Sequence, residues 1–249
     1  MKVELDKPIQ KLRDIFCEFI LNRKYNCILI LLVWAFVSSA SAADSKKGMD
    51  AYKKGDYATA IRELEPFAEQ GIDVYQMLLG VMSLKGQGVP QSNKTAFKWF
   101  NLAAHQANGI AQAFLADMYF HGKGVAQDYK LAAKWYELAA EQGDNRAQFT
   151  IGMMFYDGLG VEQDLSASVE WYMKSAEQGN ERAQGNLGLL YAHGKGIRRD
   201  YVRAYMWLEL AAAGGNAKAK IEQRKIKTVM STAQLDAAHK MISDHLKQQ

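Results

Sequence analysis

Cysteine and proline are scarce in this chain, and their scarcity excludes several classes of structure and chemistry. The 249 residues contain two cysteines, Cys17 and Cys27, and three prolines. After residue 27 no thiol is present to form a disulfide, a thiolate metal site or a cysteine nucleophile. So few prolines leave most of the chain free to be helical. Packing alone must therefore stabilise the folded part.

The chain also lacks a block of basic residues and a long apolar segment. The formal net charge is +4, and the lysines and arginines are scattered. A scattered distribution lacks the electrostatic footprint of a nucleic-acid-binding surface, so no nucleic-acid partner is predicted. The main apolar run, residues 27–37, is about half the roughly 20 residues that a membrane-spanning helix needs.

The residues around that apolar run are typical of an export signal. Arg23 and Lys24 precede it, and Ala40, Ser41 and Ala42 after it fit a signal-peptidase site. This pattern predicts a signal peptide region over 1–42, cleavage near Ala42 and a periplasmic or secreted protein. An uncleaved signal anchor is the alternative, and membrane contact is predicted only in that case.

A repeat of fixed length governs the rest of the sequence. Trp99, Trp135, Trp171 and Trp207 are each 36 residues apart. Two sets of glycines have the same period, namely Gly86, Gly122, Gly158 and Gly194, and Gly88, Gly124, Gly160 and Gly196. A fixed period without insertions is typical of a solenoid. Each unit is too small to bury its own apolar face and must stack on its neighbours.

The spacing inside one unit predicts two helices. Ala111, Leu115 and Tyr119 recur at four-residue steps and share one face of a first helix. Glycines then allow a tight turn, and Asp128 is placed to cap a second helix that ends at Gly143. The equivalent second-helix caps are Asp56, Ser92, Asp164 and Asp200, and the first-helix caps are Asn108, Asp144, Asn180 and Asn216.

The repeated string resembles a known family. It reads AQ-x3-LG-x2-Y-x2-G-x-GV-x2-D-x3-A-x2-WY-x2-AAEQG-(D/N), and it is similar to the Sel-one-like repeat family, a relative of the tetratricopeptide repeat. The resemblance implies an all-α, right-handed α/α solenoid of stacked antiparallel helix pairs. The predicted organisation is an amino-terminal capping unit over 43–71, repeats over 72–107, 108–143, 144–179 and 180–215, and carboxyl-terminal capping helices over 217–249.

A search for catalytic and metal-binding patterns leaves no candidate. His121 and His193 share a slot two units apart, and each unit adds roughly 10 Å, so one ion cannot bind both. The chain has no serine elbow and no phosphate-binding loop. No catalytic residue, cofactor or metal is therefore predicted.

The first-helix positions that vary between units are the candidate partner-binding site. The resemblance implies that first helices line a concave surface, where aromatic residues and methionine supply contact area. The predicted site consists of Phe114, Asp117, Phe120, Thr150, Met153, Tyr156, Asn186 and Leu189. The alternative is that several of these side chains fill the seam between the two helices of a unit.

The predicted function is a non-catalytic scaffold or adaptor, of the bacterial envelope or secreted, that binds a protein or peptide. Two alternatives stay open. One is a penicillin-binding or β-lactam-hydrolysing protein, as in cysteine-rich relatives, although those carry a cysteine pair per repeat that this chain lacks. The other is a membrane-anchored structural protein.

Overall fold

A computed structural model describes residues 45–247 of the chain, and it contains helices but no strands over that range. The predicted signal region, 1–42, and its cleavage site near Ala42 lie outside the described residues. None of the helices over residues 45–247 combines the length and the apolar character needed to cross a membrane.

The helices follow one another with short connections. Helix α1 covers residues 45–54. The next are α2 (Tyr57–Glu69), α3 (Asp73–Lys85), α4 (Asn93–Ala104), α5 (Gly109–His121), α6 (Tyr129–Glu141) and α7 (Asn145–Asp157). The last are α8 (Leu165–Glu177), α9 (Glu181–His193), α10 (Tyr201–Ala213), α11 (Ala217–Lys227) and α12 (Thr232–Leu246).

The chain divides into two compact units between Pro66 and Phe67. In the first unit, Leu64 and Ala60 of α2 are fully buried. A Cβ atom at Gly48 would overlap the Leu64 side chain, so α1 and α2 approach closely there. The Lys47 ammonium is 2.9 Å from the Glu63 carboxylate. The absence of a side chain at Gly48 therefore permits this pair of helices to pack.

The second unit is a stack of helix pairs. Helices α3 and α4, α5 and α6, α7 and α8, and α9 and α10 pack as hairpins, and each hairpin contacts the next. Helix α11 packs on α10 and α9, and α12 packs on α10. This arrangement is the predicted all-α solenoid of stacked helix pairs.

Side-chain caps fix the helix starts where the sequence places them. The Asp128 carboxylate accepts a hydrogen bond from the Leu131 amide at 3.0 Å, and Asp144 accepts one from Ala147 at 2.7 Å. The same bond forms at Ser92, Asn108, Asp164, Asn180, Asp200 and Asn216. Each cap satisfies an amide of the first turn and contributes about 1 kcal/mol.

In three of the turns the second glycine, at positions 124, 160 and 196, is required by the packing of one repeat on the previous one. Gly160 has φ +75°, in the left-handed region. A Cβ atom there would overlap the backbone carbonyl of Tyr129 at the start of α6. A side chain at this position would therefore push the turn off the preceding hairpin, which explains the recurrence without any ligand-binding role.

Buried glutamines link successive hairpins. The Gln112 side-chain amide donates to the carbonyl of Ala104 at 3.2 Å, and the Gln142 amide donates to the Gln112 oxygen at 2.7 Å. The same relay joins Gln76 to Ala68 and Gln106, and Gln148 to Ala140 and Gln178. Buried polar groups need such partners. The recurring glutamines of the AQ and EQG strings are therefore architectural.

Candidate functional site

The variable side chains lie along one face of the first helices. In α5 this stripe is Ile110, Phe114, Asp117 and His121, which recur at the four- and three-residue steps of one helix face. The equivalents are Arg146, Thr150, Met153 and Asp157 in α7, and Arg182, Asn186, Leu189 and His193 in α9. The end residues are exposed and the middle residues are half-buried. We call this surface the first-helix face.

Asp117 is the centre of a cluster that joins two repeats. One of its carboxylate oxygens accepts a hydrogen bond from the Tyr136 hydroxyl of α6. The other lies 3.1 Å from the guanidinium of Arg146 in α7. That guanidinium is 5.8 Å from the centre of the Phe114 ring. Two predicted site residues, Phe114 and Asp117, therefore meet in one cluster.

Phe114 and Phe120 also pack inward. The Phe114 ring stacks on Phe100 of the preceding repeat at 4.7 Å. The Phe120 ring lies 5.2 Å from Tyr129 and 6.2 Å from Tyr136, both in the second helix of its own repeat. The structure thus places Phe120 in the seam between α5 and α6, whereas Phe114 bridges two repeats.

The Tyr136 hydroxyl is held in its neutral form. Burial raises its pKa well above the ordinary value, and the negative charge of Asp117 raises that pKa further. The hydroxyl therefore remains a hydrogen-bond donor to Asp117 throughout the physiological range.

Three other predicted residues line a pocket one repeat further along. The pocket has a volume of about 200 Å³ and opens between α7, α8, α9 and α11. Its walls are Tyr156, Tyr172, Asn186, Leu189, Leu190 and Lys218. Burial raises the pKa of the Tyr172 hydroxyl to about 12, and the side chain of Asn186, hydrogen-bonded to it, acts in the opposite direction.

The two remaining predicted residues have less distinctive surroundings. The Thr150 hydroxyl donates to the carbonyl of Arg146 in its own helix at 2.8 Å. Met153 is half-buried and packs against both hydrophobic clusters of the solenoid. Neither belongs to the Asp117 cluster or lines the pocket.

The sequence prediction missed a row of cations on the same face. The second residue of each first helix is Val74, Ile110, Arg146, Arg182 and Lys218 in turn. Arg146 belongs to the Asp117 cluster, the Arg182 guanidinium lies 4.6 Å from the Phe149 ring, and Lys218 lines the pocket. The sequence could have revealed this row, because the five positions are spaced at the 36-residue period of the repeat.

The described residues offer no metal centre. Over 45–247, no three side chains of histidine, cysteine, aspartate or glutamate lie close enough together to hold an ion. His121 and His193 are the last residues of α5 and α9 and are exposed.

The repeat geometry is matched by a family-specific sequence pattern. The model of the Sel1 repeat family matches residues 74–108, 109–144, 145–180 and 181–216, more than half of the chain. The chain belongs to the Sel1 repeat family. Each Sel1 match contains one hairpin of the solenoid, from α3–α4 to α9–α10.

Two solved structures resemble this Sel1 repeat protein over most of its length. One is a protective antigen of uropathogenic Escherichia coli with the same repeat fold, 31% identical, with a TM-score of 0.73. The match covers 84% of this chain but 48% of the antigen, so the chain spans about half its length. The other is a Sel1 repeat protein of Oxalobacter formigenes, 31% identical over 72% of this chain and 74% of that one, with a TM-score of 0.68. No curated protein matched the chain.

Proposed function

We propose that this Sel1 repeat protein is a non-catalytic scaffold that binds another protein or peptide through its first-helix face. The observation that carries the proposal is the Asp117 cluster. Phe114, Asp117 and Arg146 are held by contacts that span two repeats, yet each keeps part of its surface accessible. Side chains fixed in this way lose little conformational entropy when a partner binds.

The composition of the face supports a protein partner. Half-buried aromatic residues, methionine and leucine alternate with arginine and amide side chains along α5, α7 and α9. Aromatic residues, methionine and arginine are the residue types enriched in protein–protein interfaces. We also propose that the protein is exported to the periplasm or secreted, because residues 23–42 follow the pattern of a cleaved signal.

Site-specific photo-crosslinking tests the proposed surface. A photoreactive amino acid replaces Met153 on the first-helix face in one variant and Lys134, exposed on the second helix α6, in the other. We expect the same partner protein to be trapped in the native cells through position 153 and not through position 134. Trapping through position 134 alone would place the interface elsewhere.

A paired substitution then measures the contribution of the face. Phe114→Ala with Tyr156→Ala removes two aromatic rings from the Asp117 cluster and the pocket wall. Loss of interface aromatics typically costs 1 kcal/mol or more each, so we expect binding of the trapped partner to weaken roughly tenfold or more. Circular dichroism checks that the variant remains folded. Undiminished binding by the folded variant would contradict the proposal.

A further inference from the structure

Three cations, Arg146, Arg182 and Lys218, form a row along the first helices, which we call the cation row. Its first member is paired with a carboxylate and the other two are not. Arg146 pairs with Asp117, which lies 29 positions before it in the preceding first helix. The residues that stand 29 positions before Arg182 and Lys218 are Met153 and Leu189. Neither of these can pair with a cation. The change at this one slot removes the counter-charge from the last two members of the row.

Arg182 and Lys218 have no carboxylate partner in the described part of the chain. Neither forms an ion pair with any residue over 45–247, and both are exposed. Arg182 is held against the Phe149 ring at 4.6 Å, which fixes where its charge is presented. The helices that carry the two cations, α9 and α11, are in direct contact.

The surrounding sequence has the same sign of charge. Residues 181–230 contain ten lysines and arginines against four aspartates and glutamates. Residues 73–180, by contrast, contain eight lysines and arginines against eleven aspartates and glutamates. Residues 73–180 therefore carry a net negative charge and residues 181–230 a net positive charge. The pocket lies where these two segments meet, and its one cation, Lys218, comes from the positive segment, which attracts anions.

The pocket supplies groups that suit a carboxylate-bearing side chain. Lys218 contributes an ammonium, and Tyr156, Tyr172 and Asn186 contribute hydroxyl and amide groups. Leu189 and Leu190 form an apolar wall on which the methylene groups of such a side chain can pack. A volume of about 200 Å³ suits a single side chain.

We propose that the carboxyl-terminal half of the first-helix face binds an extended acidic segment of the partner protein. One carboxylate of the segment enters the pocket at Lys218, and a second pairs with Arg182. Packed helix axes lie roughly 10 Å apart, and an extended polyproline II segment rises roughly 3.1 Å per residue with about three residues per turn. Two acidic residues about three positions apart on such a segment therefore point to the same side and span the distance. This inference rests on the proposed function and names the chemistry of the partner.

The cation row favours an acidic peptide over a nucleic acid. Two cations and an apolar pocket wall match a few carboxylates on a mostly neutral chain. A nucleic acid presents a phosphate on every nucleotide and is bound by a denser set of cations, with aromatic rings for its bases. A single-stranded oligonucleotide is therefore included in the test as a competing ligand.

Fluorescence anisotropy with designed peptides tests the inference. The probe is a labelled peptide of about twelve residues with two glutamates three positions apart among proline, serine and leucine residues, which favour the polyproline II conformation. Its two matched controls replace both glutamates with glutamine or with lysine. We expect saturable binding of the glutamate peptide only, weaker at high salt because ion pairs are screened.

Charge-reversed variants locate the binding site. Arg182→Glu with Lys218→Glu is compared with Lys130→Glu and Lys134→Glu, which change the same charge on exposed positions of α6. We expect the first pair to weaken binding of the glutamate peptide roughly tenfold or more and to gain binding of the lysine peptide. The second pair should leave both affinities within about twofold, and thermal melting checks that all variants fold.

The outcomes separate this inference from the proposed function. It is overturned if the glutamate peptide does not bind, if the glutamine peptide or the oligonucleotide binds as well, or if both charge-reversed pairs behave alike. In each case, partner trapping through position 153 can still succeed, and the scaffold proposal would then stand with a partner of different chemistry. If trapping through position 153 also fails, both proposals are wrong.

Discussion

Tyr136 and Tyr172 occupy the same position in consecutive repeats, yet they build different surroundings. The Tyr136 hydroxyl is bonded to Asp117 in the first helix of its own repeat, and Arg146 of the next repeat closes over that carboxylate. The Tyr172 hydroxyl meets Asn186, which belongs to the following repeat, and it lines an open pocket.

A single slot accounts for the difference. Met153 stands in α7 where Asp117 stands in α5, so Tyr172 has no carboxylate at the equivalent slot. The Asp157 carboxylate of the same repeat raises the Tyr172 pKa through its charge and is not hydrogen-bonded to the hydroxyl. The helices, caps and turns of the two repeats are alike, since α5–α6 and α7–α8 have the same lengths. A repeat framework can therefore change from a closed ion-paired surface to an open pocket without any change in its backbone design.

The largest expected effect on stability, common to both tyrosines, appears at alkaline pH. The ordinary tyrosine pKa is 10.0, and burial raises the pKa of Tyr172 to about 12 in the folded state. A raised folded-state pKa stabilises the fold fully below pH 10 and is lost as the pH rises towards the folded-state value. For Tyr172 the loss is on the order of 2–3 kcal/mol between pH 10 and pH 12.

Phenylalanine variants measure this contribution. Above pH 10 the free energy of unfolding should fall less steeply in Tyr172→Phe than in the wild-type protein. Urea titration at each pH measures it. Tyr136→Phe should flatten the fall at least as much, because the Asp117 charge adds to burial there. Identical alkaline profiles for the wild-type protein and both variants would show that these hydroxyls are accessible to solvent.

A smaller effect on stability should follow when the surroundings of Tyr136 are made to resemble those of Tyr172. Asp117→Met leaves the buried Tyr136 hydroxyl without its acceptor and Arg146 without its partner. An unsatisfied buried hydroxyl costs about 1–3 kcal/mol, and the exposed ion pair adds less than about 1 kcal/mol. Urea unfolding at neutral pH measures the loss.

Asp117→Asn is the matched control for that substitution. Its side-chain oxygen can still accept the hydrogen bond from Tyr136, so we expect a loss below about 1 kcal/mol. Equal losses for the two variants would mean that the hydrogen bond from Tyr136 contributes little to stability.

The reverse substitution, Met153→Asp, should also have a small effect on stability. It places a carboxylate at the slot that Asp117 occupies beside Tyr136 and Arg146, here beside Tyr172 and Arg182. We expect a loss of about 1 kcal/mol, because the packing of the half-buried Met153 is lost and a half-exposed ion pair offsets little of it. Binding of the glutamate peptide should nevertheless weaken several-fold, since Arg182 gains an internal partner. Unchanged peptide affinity in the anisotropy assay would count against a role for Arg182.

The sequence was sufficient for the fold because local interactions determine most of it. The caps at Asp128 and Asp144 and the glycine turns are interactions within a few residues, and the structure confirms each of them. The 36-residue period then requires that the hairpins stack, and the solenoid was predicted correctly on that basis.

The candidate site was harder to predict from the sequence, because its contacts join residues about 20 to 30 positions apart. The Asp117 bond to Tyr136 and its ion pair with Arg146 depend on how the hairpins stack, which a helix pattern does not specify. The predicted set contained Asp117 but not its partners or the other two cations. It also included Phe120, which packs against the second helix of its own repeat. The binding role of all eight residues stays a prediction.

The glutamine relay also determines how this array can grow or shrink. Gly214 stands where Gln106, Gln142 and Gln178 stand in earlier repeats, and Lys220 takes the slot of Gln76, Gln112, Gln148 and Gln184. The first-helix glutamine of each hairpin donates to a backbone carbonyl of the preceding hairpin, and the second-helix glutamine donates to it from within the same hairpin. A duplicated internal hairpin would therefore bring both of its amides with it and find the carbonyl that it needs on the hairpin before it. The junction of α10 with α11 lacks this bond, because the Lys220 side chain has no amide to donate.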